Sequence, residues 1–177
     1  MDRVVIIRKY NRKAPSYFKK ERMYLVKALK KYRNKLEIVH FGSTAITGLG
    51  GKNIIDIYLI SKRKGYINSI LRCLEHNTEY FKWRTGGDEE RIFMVRKSKI
   101  GNEMVTFHLH ITWKNTKKYK DALKFCSYII AHPTEAKRYY ALKKQWAKKA
   151  TTPSSYRKMK SLYISVFLNK IKYRRCY

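Results

Sequence analysis

Two apolar runs separated by a glycine-rich passage dominate the hydropathy pattern of this chain. The first, Leu36 to Phe41, ends at Gly42-Ser43; the second, Ile54 to Ile60, carries one carboxylate, Asp56. Both have strand length and strand composition, and Gly48, Gly50 and Gly51 between them mark a loop. Upstream, Val4 to Ile7 predicts a short strand or extended arm. Pro15-Ser16 then opens a helix reaching about Arg33, with Phe18, Leu25, Val26, Leu29 and Tyr32 facing inward. Ile67, Ile70, Leu71 and Leu74 give a second helix over about 66–76. Strands are expected at Tyr80 to Arg84, Arg91 to Arg96 and Met104 to Trp113, divided by turns at Gly86-Gly87-Asp88 and Lys99-Ile100-Gly101-Asn102, hence a meander. From Lys117 the period is helical. One helix runs to Ala131, another starts at Pro133, and a third follows Thr151-Thr152-Pro153 with Ser154 or Ser155 as its cap. The order of helix, mixed sheet and three helices is an α+β layout. It reads as one domain over 1–177, with a mixed-sheet core at 1–114 and a basic helical part at 115–177.

Charge changes that picture most. The chain of 177 residues has 42 Lys and Arg against 12 Asp and Glu, a formal charge of +30. Such a field recruits polyanions, and 15 Tyr, 7 Phe and 3 Trp offer stacking surfaces, so nucleic acid is the leading expected partner. No carboxylate side chain follows Glu135. Lys137, Arg138, Lys143, Lys144, Lys148, Arg157 and Lys160 therefore form the expected nucleic-acid-binding surface, with Lys172, Arg174 and Arg175 beyond them. A membrane surface fits less well, because the apolar stripes have the spacing of core faces. Cys73, Cys126 and Cys176 are odd in number and widely spaced, which points to a reducing, cytoplasmic setting. The N-terminal apolar stretch is too short for a signal peptide, so a soluble, unprocessed protein is expected.

The candidate chemistry lies on the two strand patterns. Alternation puts Asp56 and Tyr58 on one face of their strand, and His108 and His110 on one face of theirs. Were the strands neighbours with these faces shared, a carboxylate and two imidazoles would converge beyond Gly42-Ser43. That donor set binds a divalent ion, with Mn, Zn or Fe favoured over purely oxygen-liganded Mg. Bare backbone N–H groups and the Ser43 hydroxyl at the strand end suit a phosphate, particularly if a helical turn begins there.

The stretch from His40 to Leu49 (HFGSTAITGL), followed by Lys52 and Ile54-Ile55-Asp56-Ile57, resembles the signature of the GrpB-like family, within the polymerase-β-type nucleotidyltransferase superfamily. The resemblance spans nearly the whole chain. It takes in Tyr10, Pro15, Phe18 and Glu21, the His108-Leu109-His110 strand, and helical positions from Phe125 and Tyr128 through His132-Pro133 and Leu142-Lys143 to Tyr156 and Lys160. It implies a small mixed sheet flanked by helices, Gly42 and Ser43 on the phosphates of an NTP such as ATP, Lys52 neutralising them, and Asp56 as the metal carboxylate. His108 and His110 take the place where active transferases carry another acid. The implied reaction is metal-assisted (Mg or Mn) attack of an RNA hydroxyl, tRNA among the candidates, on the α-phosphate. The chain departs from the pattern at Tyr58, where a second carboxylate belongs, at Thr47 and Asn53 in place of prolines, at Ala14, and at Cys126-Ser127 in place of Arg-Asp. Two other readings stay open: a catalytically degenerate nucleotide- or RNA-binding module, and transfer of a nucleotide to a protein or small molecule.

Overall fold

In a computed structural model, which describes residues 5–83 and 86–173, five strands form one sheet in the order β1-β2-β5-β4-β3. They are β1 (Leu36–Phe41), β2 (Ile54–Ser61), β3 (Phe81–Lys82), β4 (Ile92–Ile100) and β5 (Glu103–Trp113). β2 and β5, the central pair, are parallel; the other neighbours are antiparallel. A parallel pair needs a long crossover, and here it contains helix α2 (Ile67–Asn77) and the meander strands β3 and β4.

Strand alternation sorts the sheet into two faces. Ile55, Ile57 and Leu59 of β2 and Phe107, Leu109 and Ile111 of β5 are buried with Leu25 and Leu29 from the first helix region and Ile70 and Leu74 of α2. Each such side chain contributes roughly 1.5–3 kcal/mol by leaving water. The first helix, α1 (Ala14–Ala28), is shorter than the sequence suggests: the chain tightens into a 3-10 stretch over Lys30–Lys35. Leu29 and Tyr32 stay buried because a three-residue spacing repeats on one side of a 3-10 turn.

The remaining helices are α3 (Lys117–Ala131), α4 (Pro133–Lys149) and α5 (Pro153–Tyr173). They hold a second core in which Phe125, Ile129, Tyr139 and Leu168 enclose Ile46 and Leu49 from the glycine-rich loop. That loop is thereby clamped between the sheet and the helices. None of the helices among the described residues is long and apolar enough to cross a membrane.

Boundaries differ from the sequence reading in four further places. The strand expected at Tyr80 to Arg84 contracts to Phe81–Lys82 because Tyr80 turns inward beside Glu21; Arg84 lies outside the described residues. β4 runs on to Ile100, so its turn to β5 narrows to Gly101-Asn102, which Gly101 permits with φ +61°. The N-terminal arm, whose Val4 lies outside the described residues, makes a single bridge, Arg8 with Gly51. Thr152, rather than Ser154 or Ser155, caps α5: Ser155 N–H donates to Thr152 Oγ1 at 3.0 Å and Thr152 N–H returns to Ser155 Oγ at 3.1 Å, a reciprocal capping box. Arg174, Arg175 and Cys176 lie outside the described residues, as does the Lys172 side chain.

One buried charge pair ties α1 to the sheet. Arg96 Nη1 donates to Glu21 Oε2 at 2.7 Å, its guanidinium lies 4.2 Å from the Tyr24 ring centre, and it also reaches Glu79 at 3.0 Å. Burial pushes the Glu21 carboxyl up, and Arg96 opposes the shift. Arg96→Met strands that carboxylate and is expected to cost about 3–5 kcal/mol in a urea melt, whereas Glu21→Leu/Arg96→Met together should recover most of the loss. A single-variant loss below about 1 kcal/mol would show that the pair does not hold α1 in place.

Candidate active site

The register of β2 against β5 decides what meets on the face turned away from α1 and α2. Asp56 lies opposite His108, and Tyr58 opposite His110. His108 Nδ1 is 3.4 Å and His110 Nε2 3.5 Å from the same Asp56 oxygen, Oδ1. The expected convergence of one carboxylate and two imidazoles is thus the geometry found, with one ligand atom from each lying within 4.8 Å of the others. His110 Nε2 is buried without a hydrogen-bond partner, an orphaned polar atom facing the carboxylate. A carboxylate oxygen flanked by imidazole nitrogens suits a divalent cation that accepts nitrogen ligands.

Gly42 sits directly over Asp56. Its φ of +74° is left-handed, and a Cβ there would come within 2.8 Å of Asp56 Oδ2, so only glycine lets the chain turn across the carboxylate. The helical turn that follows is short, a 3-10 turn over Ser43–Ala45. Two neighbours occupy it: the Ser43 side chain packs on Gly51, and the Gly42 backbone lies near enough to the Cys126 thiol of α3 to oppose the rise that burial gives that thiol. The turn is fastened from behind by His40, which stacks on Phe18 at 4.6 Å and lies 3.1 Å from Thr44 Oγ1. Because the Thr44 hydroxyl donates to Ile54 O, the His40 Nε2–H is the donor to Thr44. Burial holds the His40 imidazole down at about 4, so it is a neutral structural residue.

Electrostatics separate the members of the site. Burial works to raise the Asp56 pKa, but the facing imidazole nitrogens of His108 and His110 overcome it and hold the carboxyl well below its ordinary range. Burial pushes the His110 imidazole down, against the pull of Asp56. Tyr58 is a packing residue here: it is 4% exposed, lies against Phe41 at 4.1 Å and Tyr119 of α3 at 5.3 Å, and burial takes its phenol up to about 12. An aromatic wall fills the position of a second carboxylate. Glu103 supplies no replacement, because it faces α1 and bonds Lys13 and the Tyr17 hydroxyl; Asp88 pairs with Arg91 and Lys118.

The basic helices are arranged differently from the sequence expectation. Lys137, Arg138, Lys144, Lys148 and Arg157 are exposed and Lys160 is half-buried, but Lys143 is only 3% exposed. Its Nζ donates to Gly50 O and sits 4.8 Å from the Tyr139 ring centre, which removes it from the outer surface. Tyr139 is itself enclosed in the second core and unavailable for stacking on bases. Burial, with Lys160 adding repulsion, brings the Lys143 ammonium down to about 7. Lys52, in the loop beneath α5, is also lowered by burial and by Lys160 and Arg157. Lys160 thus lies within electrostatic reach of both Lys52 and Lys143, Arg157 of Lys52, and Asp56 of Lys52 and Lys143. Among the described residues none of these four cations is in an ion pair.

Sequence reasoning missed Arg91. Its Nη1 donates to His110 Nδ1 at 3.2 Å, while Nη2 reaches Gly86 O at 3.1 Å and Asp88 at 3.3 Å. A charged residue beside a Gly-Gly-Asp turn gives no signal in the chain; only the Phe93–His110 register across β4 and β5 brings it over the site.

Comparison with known proteins places this geometry in a family. A family model described as GrpB protein matches residues 4–170. The glutamate-rich protein GrpB of Alkalihalophilus pseudofirmus is 28% identical over 137 residues, covering 76% of this chain and 78% of that protein. The solved structure of conserved protein GrpB from Enterococcus faecalis superposes with a TM-score of 0.76 at 25% identity, covering 97% of this chain and all of that one. Cid1, solved with its short product ApU, matches at a TM-score of 0.52 and 23% identity over 79% of this chain, which shows a shared nucleotidyltransferase-like fold. The chain spans 42% of Cid1, and 31% and 47% of two further relatives, from Bacillus subtilis and Pseudomonas aeruginosa. With nearly its full length matched by the family model, the chain belongs to the GrpB family.

Proposed function

We propose that the chain transfers a nucleotide from an NTP to an RNA acceptor, with tRNA as the first acceptor to try. The observation that carries this reading is the Asp56 carboxylate beneath the Gly42 turn, with Lys52 and Lys143 within its electrostatic reach, Lys160 and Arg157 beside them, and none of the four in an ion pair among the described residues. Cations held together without counter-charge favour a ligand that supplies the missing negative charge, and a triphosphate does so. In this reading Lys52, Lys143, Lys160 and Arg157 bind the β- and γ-phosphates, Ser43 adds its hydroxyl, and the α-phosphate lies toward Asp56. A divalent cation would be held at the cluster of Asp56, His108 and His110 by the carboxylate and imidazole nitrogen, and would supply charge to offset the phosphoryl oxygens and lower the pKa of the attacking hydroxyl. Asp56, held ionised, serves as an anionic anchor and is too weak a base to take a proton near neutral pH. Exposed Lys137, Arg138, Lys144 and Lys148 hold the RNA backbone. The Cid1 structures with a UTP analogue and with MgATP support a nucleotide in this fold.

Tyr58 favours a second reading, a module that binds nucleotide or RNA without turnover, because a buried aromatic ring stands where a second carboxylate would hold a second cation. The two readings separate in one assay: protein, each NTP in turn, Mg or Mn, and end-labelled RNA. Transfer is expected, and Asp56→Asn should lower it at least about a hundredfold. Saturable RNA binding with no transfer under any combination would establish the binding module instead.

Two further outcomes follow from the cations. Docking of a triphosphate should raise the Lys143 pKa from about 7, so binding takes up a proton and the affinity falls as pH rises above that value. Calorimetry in buffers of different ionisation heat measures the uptake, and Lys143→Met should abolish it. In the free protein the depressed pKa means that the unfolded state binds the extra proton between pH 7 and the ordinary lysine range, so stability should climb with pH there and climb less in Lys143→Met. RNA affinity should fall steeply with salt, and Lys137→Glu/Lys148→Glu should flatten the log–log slope by about 2. An unchanged slope would remove these residues from the RNA surface.

A further inference from the structure

The two imidazole nitrogens that face Asp56 are not equivalent, and the difference comes from Arg91. A guanidinium only donates hydrogen bonds and stays charged at any pH a protein survives. The contact of Arg91 Nη1 with His110 Nδ1 at 3.2 Å therefore requires Nδ1 to present its lone pair. A neutral imidazole with a bare Nδ1 carries its proton on Nε2, and Nε2 is the atom that faces Asp56 Oδ1 at 3.5 Å. A metal needs the lone pair of that same Nε2, and a metal-bound histidine donates its other ring N–H to a carboxylate, carbonyl or water. Here the other ring nitrogen faces a donor. Binding through Nε2 would move the proton to Nδ1 and set two N–H groups against each other.

Arg91 is not free to turn away. Its Nη2 is held by Gly86 O at 3.1 Å and Asp88 at 3.3 Å, Asp88 is held in turn by Lys118 at 2.7 Å, and the Asp88–Arg91 backbone bridge fixes the turn that carries the guanidinium. His110 is also confined, between Phe41 and Phe93 with both ring centres at 5.0 Å. His108 differs. Neither of its ring nitrogens faces a cationic donor among the described residues, so its Nδ1 can turn either a proton or a lone pair toward Asp56.

We propose that Arg91 is a positioning residue that fixes His110 as the Nε2–H tautomer. Within the cluster, His110 then donates a hydrogen bond to Asp56 or to a bound phosphate oxygen, and the cation falls to Asp56 and His108. The phosphate role rests on the transferase reading above; the tautomer and the division of ligands do not. Two imidazoles that look alike in sequence thereby have opposite duties, one a ligand and the other an N–H donor.

The test uses the full chain and needs no nucleotide. In a long-range ¹H–¹⁵N spectrum of the wild-type protein, His110, assigned by its loss in His110→Gln, is expected to show a protonated Nε2 and a bare Nδ1. Arg91→Met should release that preference and shift the ring nitrogens toward the other tautomer. Manganese alone, followed by its EPR signal, supplies the second readout. His108→Gln should weaken binding by about tenfold or more, and His110→Gln should change it less than about threefold. Arg91→Met should tighten it by about tenfold by recruiting His110, a gain lost in Arg91→Met/His110→Gln. A wild-type spectrum with Nδ1 protonated overturns the proposal by itself, whatever the variants do. So does a His110→Gln loss equal to that of His108→Gln. Absence of nucleotidyl transfer would overturn the transferase reading and leave the tautomer standing.

Discussion

Everything in the site depends on the parallel pairing of β2 with β5 in the register that sets Asp56 opposite His108. Side chains in a strand alternate, so a slip of one residue would send the carboxylate into the apolar layer with Leu25 and Leu74 and bring an isoleucine to the imidazoles. The apolar residues enforce that parity: Ile55, Ile57, Leu59, Phe107, Leu109 and Ile111 are at most 1% exposed, and a one-residue slip of β2 would turn Ile55, Ile57 and Leu59 out of the core. The chemistry of one face is thus held in place by the hydrophobic demand of the other.

The same logic explains the glycine-rich loop. It leaves β1 beneath Gly42, crosses Asp56 in a left-handed conformation, and delivers Ile46 and Leu49 to the helical core before returning along Gly50 and Gly51. Gly50 and Gly51 are needed for close approach: a Cβ on the first would strike the Tyr140 ring, and on the second the Ser43 side chain. The loop couples the sheet to α4, since the Lys143 ammonium rests on Gly50 O. A lysine buried among tyrosines with its pKa brought near neutrality costs folding free energy, a pattern more often met at working sites than in structural cores.

Much of this was legible in the chain. The six-residue β1, the Asp56 strand, the histidine strand and the starts of the last three helices follow from alternation, helical period and proline positions. Convergence of Asp56, His108 and His110 follows from the alternation of two neighbouring strands. What escaped was set by contacts distant in sequence. Lys143 has the same local surroundings as Lys144, and only the approach of the loop to α4 makes one buried and the other exposed. Arg91 was hidden because a turn residue acquires a role only when the β4–β5 register is known. The first helix was read too long because lysines punctuated by Leu29 and Tyr32 satisfy a 3-10 repeat as well as the end of an α-helical one.

The replacement of a second carboxylate by Tyr58 changes the charge balance of the site, not only its ligand count. With two acids, a site attracts a second dication, which then faces the phosphates. With a single acid and a buried phenol pushed up to about 12, the sheet contributes one negative charge to the site, and the positive charge nearest it comes from side chains on the loop, α4 and α5. Fixed ammonium and guanidinium groups hold an anion without being carried in by it, and their mutual repulsion in its absence is relieved when it binds. The lowered pKa values of Lys52 and Lys143 are the signature of that repulsion and of burial together. A site of this composition has its positive charge on the helical side and its single carboxylate on the sheet, the division of charge on which the proposed phosphate and cation roles rest.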